Sequence, residues 1–398
     1  MIKKYLSIVS IASAGINQLA TFILLMLFDK AIAGQIGIAT IWASFLAQII
    51  FLGGDQSIVK RILHEDDYIS AFSLYFTSTT ILFFCTSALV IFFSDRIGIT
   101  GVVGVFVFTF LMQISLKWYE TFAKVESKYH RYQMITLIIG ILLIILYLVA
   151  YKYTLINVVE LLVTHRVLLS IFVLTSIYVT FKHLVTKFSF GKWNKILKSD
   201  FMFVVLLTIS FVNVFLDKLL VSTNVEPFLY ADYMLISSVY MLAILPKVTL
   251  SNQYLALLRE DEGKYIKKVK HKSLMMVSSM MILGFISYAI VTKFILVDYN
   301  FMPYLFMIFA ISGILEAMLG PIGMVLTYKY HPKYNVIPEV IGISVFILAW
   351  IYSKFVVLTS EQFLFLVVSA LAISKVLIAF FKYLTLKRLY SSETNYSI

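Results

Sequence analysis

Apolar residues fall along the chain in runs of about 20, each long enough to cross roughly 30 Å of hydrocarbon as a helix. The runs lie near 5–28, 36–52, 69–93, 99–116, 134–151 and 155–179, and again near 201–222, 228–257, 273–296, 302–327, 336–357 and 361–386. None alternates apolar and polar positions over about 10 residues, as a lipid-facing barrel strand would. The pattern predicts an all-α polytopic membrane protein with twelve transmembrane helices. Between the sixth and seventh runs, residues 181–200 carry five lysines. The expected organisation is a six-helix bundle over 1–180, a basic connector over 181–200, a second six-helix bundle over 201–386 and a short tail over 387–398. Every connection is short, so no soluble domain fits between spans.

Lys and Arg orient this pattern. With the N-terminus inside, 24 of the 33 basic residues fall on cytoplasmic ends and 6 on outside ends, while Arg166, Lys247 and Lys375 fall within runs. Cytoplasmic loops of membrane proteins concentrate Lys and Arg. The bias therefore predicts both termini in the cytoplasm and an even number of spans. It also accounts for the net charge of +12 without invoking nucleic acid.

Composition agrees. Hydrophobic residues make up 61% of the chain and charged residues 14%, against about 25% charged in soluble domains. The mean hydropathy is +0.93. The start, MIKK followed by an apolar run and Ala12-Ser13-Ala14, has the outline of a secretory signal. Its apolar character continues to Phe28, however, so an uncleaved first span is expected. Cys85 is the single cysteine and excludes an intrachain disulfide, and the six histidines show no metal-ligand spacing.

Candidate chemistry lies in the polar residues inside the runs. A charge at mid-bilayer costs about 3 kcal/mol on insertion scales and should face protein or water. Arg166 lies roughly 13 Å into the sixth run and Lys375 roughly 21 Å into the twelfth. Both are read as cations lining a polar route between two halves of a transporter. For Arg166 the structural alternative is a pair with Glu160 or a helix end. Lys247 follows Pro246, where snorkelling or a kink explains it equally well. Glu316, above Gly320-Pro321, is a candidate for binding a coupling H⁺ or Na⁺, or for neutralising Lys375 or Arg166. Asn213 and Asp217 share one helix face; Asp217 is a second coupling candidate, with placement near the outer end of its span as the alternative. Asn17 and Gln18 are candidates for cargo contact, against the ordinary role of helix-helix hydrogen bonding. No cofactor is expected.

Two segments carry a family resemblance. FDKAIAGQIGIATIWASFLAQIIFLGGDQSIVKRIL in the first half is similar to the first hairpin of the polysaccharide-transporter branch of the multidrug/oligosaccharidyl-lipid/polysaccharide exporter superfamily. FLDKLLVSTNVEPFLYADYMLISSVYMLAILPKV in the second half resembles that family's seventh and eighth spans. Phe28-Asp29-Lys30 and Leu216-Asp217-Lys218 are a shared tripeptide pattern expected to close the first and seventh spans. The turn over 222–229 departs from the family in carrying Glu226-Pro227 where a Gly usually precedes the tyrosine. The resemblance is to the O-antigen flippases. It implies translocation of an undecaprenyl-diphosphate-linked oligosaccharide across the bacterial inner membrane by alternating access, with glycan polymerase machinery as a partner.

Other functions are weighed on the same residues. A major-facilitator permease shares the span count, but its usual loop motif after span two is missing from GGDQSIVKRILHEDD. A multidrug exporter of the same fold is the nearer alternative. A polytopic glycan polymerase would have a large outside loop and a catalytic constellation, and neither is present in the sequence, so the chain is not expected to be an enzyme.

Overall fold

The computed structural model describes residues 12, 15–16, 19–20, 22–23, 25–51, 54, 58, 68–97, 99–125, 129–152, 158–185, 193–254, 261–330 and 333–395. Eleven helices of 17 to 36 residues account for most of them. They are α1 (Lys30–Ile50), α2 (Tyr68–Phe92), α3 (Val103–Val125), α4 (Tyr129–Lys152), α5 (Val158–Val185) and α6 (Trp193–Asn224). Then follow α7 (Pro227–Gln253), α8 (Glu262–Phe294), α9 (Pro303–Leu319), α10 (Lys333–Phe355) and α11 (Ser360–Asn395). Helices prevail because apolar runs in lipid must satisfy every backbone N–H and C=O within the segment.

Among the described residues nine of these helices are long and apolar enough to cross a membrane, and α9 is apolar but shorter. The remaining helix, α3, carries Lys117, Glu120 and Lys124 in its last third. Lys117 and Glu120 lie 3.7 Å apart. The chain is thus a polytopic all-α membrane protein.

Two compact units divide the chain, one ending at Phe211 and the other beginning at Val212, so the division falls within α6. Much of the lysine-rich 181–200 stretch is itself helical, since α5 continues to Val185 and α6 starts at Trp193.

In the first unit α3 is the central helix, packed on α1 and α5. Trp118 anchors an aromatic cluster with Phe51 and Phe72, each ring centroid 4.8 Å away. The Asp29 carboxylate caps α1 by accepting from the amides of Ala31 (2.8 Å) and Ile32 (3.3 Å). This is the ordinary way to satisfy two of the donors left at a helix start. Asp29-Lys30 therefore opens a helix, whereas Asp217-Lys218 lies two turns inside α6. Phe28-Asp29 thus follows the helical residues 25–27, as expected of a span end, whereas the helix holding Asp217-Lys218 runs on to Asn224.

In the second unit α7 packs on α8, α10 on α11, and α9 on both α8 and α11. Gly313 allows the closest approach of α9. A Cβ there would fall 2.7 Å from Met281 Cε and 3.2 Å from Tyr240 Cε2, so a larger residue would have to displace Met281 and push the Tyr240 ring back from α9. Just beyond, α9 stops at Gly320, whose φ of +83° is open to glycine and strained for other residues. Pro321 follows, then a helical turn over Ile322–Val325 and a π-helical turn over Leu326–Tyr330. The backbone break expected at Gly320-Pro321 is present. Asn335 Nδ2 donates to the Gly323 carbonyl at 3.0 Å and ties this irregular stretch to α10.

Candidate functional site

Polar side chains in the second unit collect along one face of α7. Tyr233, Tyr240 and Lys247 recur every seven residues, which returns them to nearly the same side of a helix. Facing them are Glu316 on α9, Lys375 and Lys382 on α11, also seven apart, and Glu339 on α10. Pro246 sits inside α7. It removes the amide that would have bonded to the Leu242 carbonyl and loosens the helix beside Lys247.

The contacts form discrete links. Lys247 Nζ meets Glu316 Oε1 at 2.5 Å. Lys382 Nζ donates to Glu339 Oε1 at 2.6 Å. The same glutamate accepts from Asn213 Nδ2 through Oε2 at 2.7 Å, and Asn213 also bonds to its backbone carbonyl at 2.8 Å. Lys375 Nζ donates to the Tyr240 hydroxyl at 2.6 Å, and its ammonium lies 4.6 Å from that ring's centroid. Tyr240 stacks on Phe309 with centroids 4.7 Å apart. Both Lys375 and Lys382 lie close enough to Glu316 to add to the field that Lys247 exerts on it.

Three ammonium groups thus face two glutamates. Each glutamate is in direct contact with one lysine, and Lys375 is held by a neutral phenol. Among the described residues no carboxylate touches Lys375. With three ammonium groups against two carboxylates, this part of the seam carries a net positive charge. Toward the other end of α7, Asp217 is almost fully buried and accepts from the Tyr233 hydroxyl. Lys218 Nζ lies 3.6 Å from Asp217 Oδ2, and Asp217 Oδ1 has no hydrogen-bond partner.

Some sequence readings change at this point. Lys247 follows Pro246 inside α7 and pairs with Glu316. Asp217 is buried within the protein, where the Tyr233 hydroxyl on α7 donates to it. Asn213 binds Glu339, which sequence reasoning passed over, as it did Tyr233, Tyr240 and Lys382. The recurring seven-residue spacing on α7 and α11 was the available signal for those last three. Lys382 was assigned to a cytoplasmic end by its position near the chain's terminus. Asn17 and Gln18 lie outside the described residues.

Arg166 belongs to the first unit. Its side chain is buried, and Nη1 donates to Met112 Sδ on α3 at 3.2 Å. Nε has no hydrogen-bond partner. The suggested pair with Glu160 does not form, since Glu160 is exposed near the start of α5. Neighbouring His165 has both ring nitrogens buried and without partners. The first unit therefore holds a guanidinium that, among the described residues, no carboxylate contacts.

No family model matches the chain, and no curated protein sequence matches it. Solved structures do. The fold is similar to that of a lipid II flippase MurJ in an inward closed conformation, with a TM-score of 0.71 at 15% identity over 96% of this chain and 87% of that one. It is also similar to an inward-facing multidrug resistance MATE family transporter of the MOP superfamily (TM-score 0.61, 13% identity, 98% and 99% covered). A MOP superfamily transporter from Pyrococcus furiosus described as having a binding pocket of reverse polarity gives a TM-score of 0.55 at 14% identity, with 98% and 95% covered. At these identities the likeness shows the fold alone, and nearly the whole chain takes part in it.

Proposed function

We propose that this chain is a flippase with the MOP transporter fold, carrying a lipid-linked oligosaccharide across the bacterial inner membrane by alternating access. The cargo in this reading is an undecaprenyl-diphosphate-linked repeat unit of O-antigen or a similar polysaccharide. Its twelve spans would begin and end in the cytoplasm, and a glycan polymerase would take up the product.

The observation that carries the reading is Lys375, a deep ammonium in contact with a tyrosine hydroxyl and no carboxylate among the described residues. A diphosphate crossing a low-dielectric slab needs fixed cations whose charge is not already neutralised. Lys375 can exchange its Tyr240 partner for a phosphate oxygen without leaving a carboxylate bare. Lys247 and Lys382 extend the same positive face once their glutamates are shared, and Arg166 is the corresponding cation of the first unit. Asn213 orients Glu339, and Asn17 and Gln18 remain proposed cargo contacts. The fold's likeness to a lipid II flippase supports a lipid-linked cargo.

For coupling, Asp217 is the better of the two acids proposed. It keeps one oxygen free to take a proton or Na⁺, whereas Glu316 is held by Lys247. A second reading, an ion-coupled exporter of small molecules, draws on that same free oxygen and on the pairing of Lys247 and Lys382. The reading is tested by reconstituting the protein in liposomes with a fluorescent polyprenyl-diphosphate oligosaccharide and measuring exchange between leaflets under a pH or Na⁺ gradient. Gradient-dependent exchange that is lost in Asp217→Asn is expected. An active exporter of small cations that leaves the lipid diphosphate in place would overturn the flippase in favour of the second reading.

A further inference from the structure

The start of α8 carries a set of lysines that the proposed cargo route does not use. Lys264, Lys267, Lys268, Lys270 and Lys272 are all exposed, as is His271. Lys264, Lys268 and His271 follow i, i+4, i+7 spacing, and the same stripe runs on through Met275, Ile282 and Ile286, with Ser278 between the first two. Those three apolar residues are 61%, 64% and 49% exposed, on a helix long and apolar enough to cross the membrane. One face of one helix thus turns from lipid-facing to cationic within a single turn.

This register places the lysines on the bilayer-facing perimeter of the protein. Lys264 to His271 covers about 10 Å of helix axis, and the polar layer of a bilayer leaflet is about 5–8 Å thick. The ammonium groups therefore stand through the headgroup layer and just beyond it. Tyr254, at the end of α7, sits among them. Its hydroxyl accepts from Lys272 Nζ at 2.7 Å, and the Lys268 ammonium lies 4.5 Å from its ring centroid. Aromatic rings of this kind mark the membrane interface. Two acids next to the cluster have defined partners. Asp261 Oδ1 accepts from the Lys264 amide at 2.8 Å. Glu262 is buried, with Lys329 and Tyr390 bonded to it.

We propose that this face of α8 is a binding surface for the phosphodiester headgroups of anionic bilayer phospholipids, which hold the second unit at a set depth in its leaflet. A generic basic loop would attract the same lipids diffusely. Here the lysines continue a lipid-facing stripe, so a phospholipid can pack its chains on Met275 and Ile282 while its phosphate meets Lys264 and Lys268. The inference does not depend on the identity of the cargo.

The test uses the full chain in nanodiscs, with spin-labelled phosphatidylglycerol and phosphatidylcholine reporting the immobilised lipid shell. At about 50 mM salt the wild type should enrich phosphatidylglycerol about fivefold or more over phosphatidylcholine. The excess should shrink toward parity at about 500 mM salt, where screening is strong. The triple variant Lys264→Gln/Lys267→Gln/Lys268→Gln should lose most of the preference, while Lys152→Gln/Lys293→Gln/Lys354→Gln, on other helix ends, should keep it. Equal preference in both triple variants, or a wild-type preference indifferent to salt, would overturn the proposal. So would displacement of phosphatidylglycerol by substoichiometric polyprenyl diphosphate, which would make the surface a cargo site. The salt titration needs only the wild type, so the proposal stays decidable even if the lysine variant fails to fold.

Discussion

Lys375 and Tyr240 are 135 residues apart in sequence, yet the ammonium of one donates to the hydroxyl of the other at 2.6 Å and lies 4.6 Å from its ring. The tyrosine offers a deep lysine a hydrogen bond and a π-face while contributing no negative charge of its own. Gly313 makes room for the ring and Phe309, one turn earlier on α9, stacks on it. A lysine held in this way is retained without being neutralised. That distinguishes it from Lys247 and Lys382, each of which contacts a glutamate.

The first prediction follows from that contact. A hydrogen bond to a charged group contributes roughly 1.5–3 kcal/mol, so losing one from the cargo should slow lipid exchange at least about tenfold. Lys375→Ala should show that loss in liposomes at normal protein yield, and Lys375→Arg should keep most activity because the charge is retained. Tyr240→Phe should act on stability first. It preserves the ring but leaves the ammonium short of a partner, which should cost about 1–3 kcal/mol in thermal unfolding.

Lys247 and Glu316 should behave as a pair. Lys247→Met alone leaves the partly exposed Glu316 carboxylate without its cation, a change that should fall below the about 3–5 kcal/mol of breaking a fully buried pair. The double variant Lys247→Met/Glu316→Gln should recover most of that loss, since it removes both charges together. Thermal unfolding of the wild type, the two singles and the double in detergent measures the coupling. A double variant no more stable than the worse single would show that the two residues do not stabilise each other.

Arg166 should give the opposite pattern. No carboxylate among the described residues contacts it, so Arg166→Met strands no charge and suits the neighbouring Met112 side chain. Its melting temperature should match or exceed that of the wild type while lipid exchange is lost. Arg166→Lys should restore exchange only in part, because a point charge cannot reproduce the forked donors of a guanidinium. Full exchange by Arg166→Met would remove the residue from any role in cargo handling.

Topology is predicted from charge alone. Reporter fusions at positions 190, 265 and 395 should read cytoplasmic, and fusions at 225 and 358 periplasmic. A periplasmic reading at 190 would reverse the inside and outside ends assigned to both halves and would contradict the lysine bias that orients them.

Helical, membrane-spanning architecture was legible in the sequence because it follows from a local rule. A run such as that in α4 or α10 has no water with which to hydrogen-bond its backbone, and the helix is the conformation that satisfies it internally. The break at Gly320-Pro321 was legible for a related reason, since a positive φ and a missing amide are properties of those two residues themselves. The presence of deep charges at Arg166, Lys247, Glu316 and Lys375 was also visible. Their partners were not. Glu316 is 69 residues from Lys247, and Lys382 is 43 from Glu339. Rotation of each helix about its axis decides which of these side chains meet, and packing sets that rotation through contacts such as Gly313 against Tyr240 and Met281. The two Asp-Lys pairs show the limit most plainly. The same two residues open α1 in one place and lie inside a helix in the other, with the aspartate buried, because what an aspartate does depends on the donors that the fold brings to it.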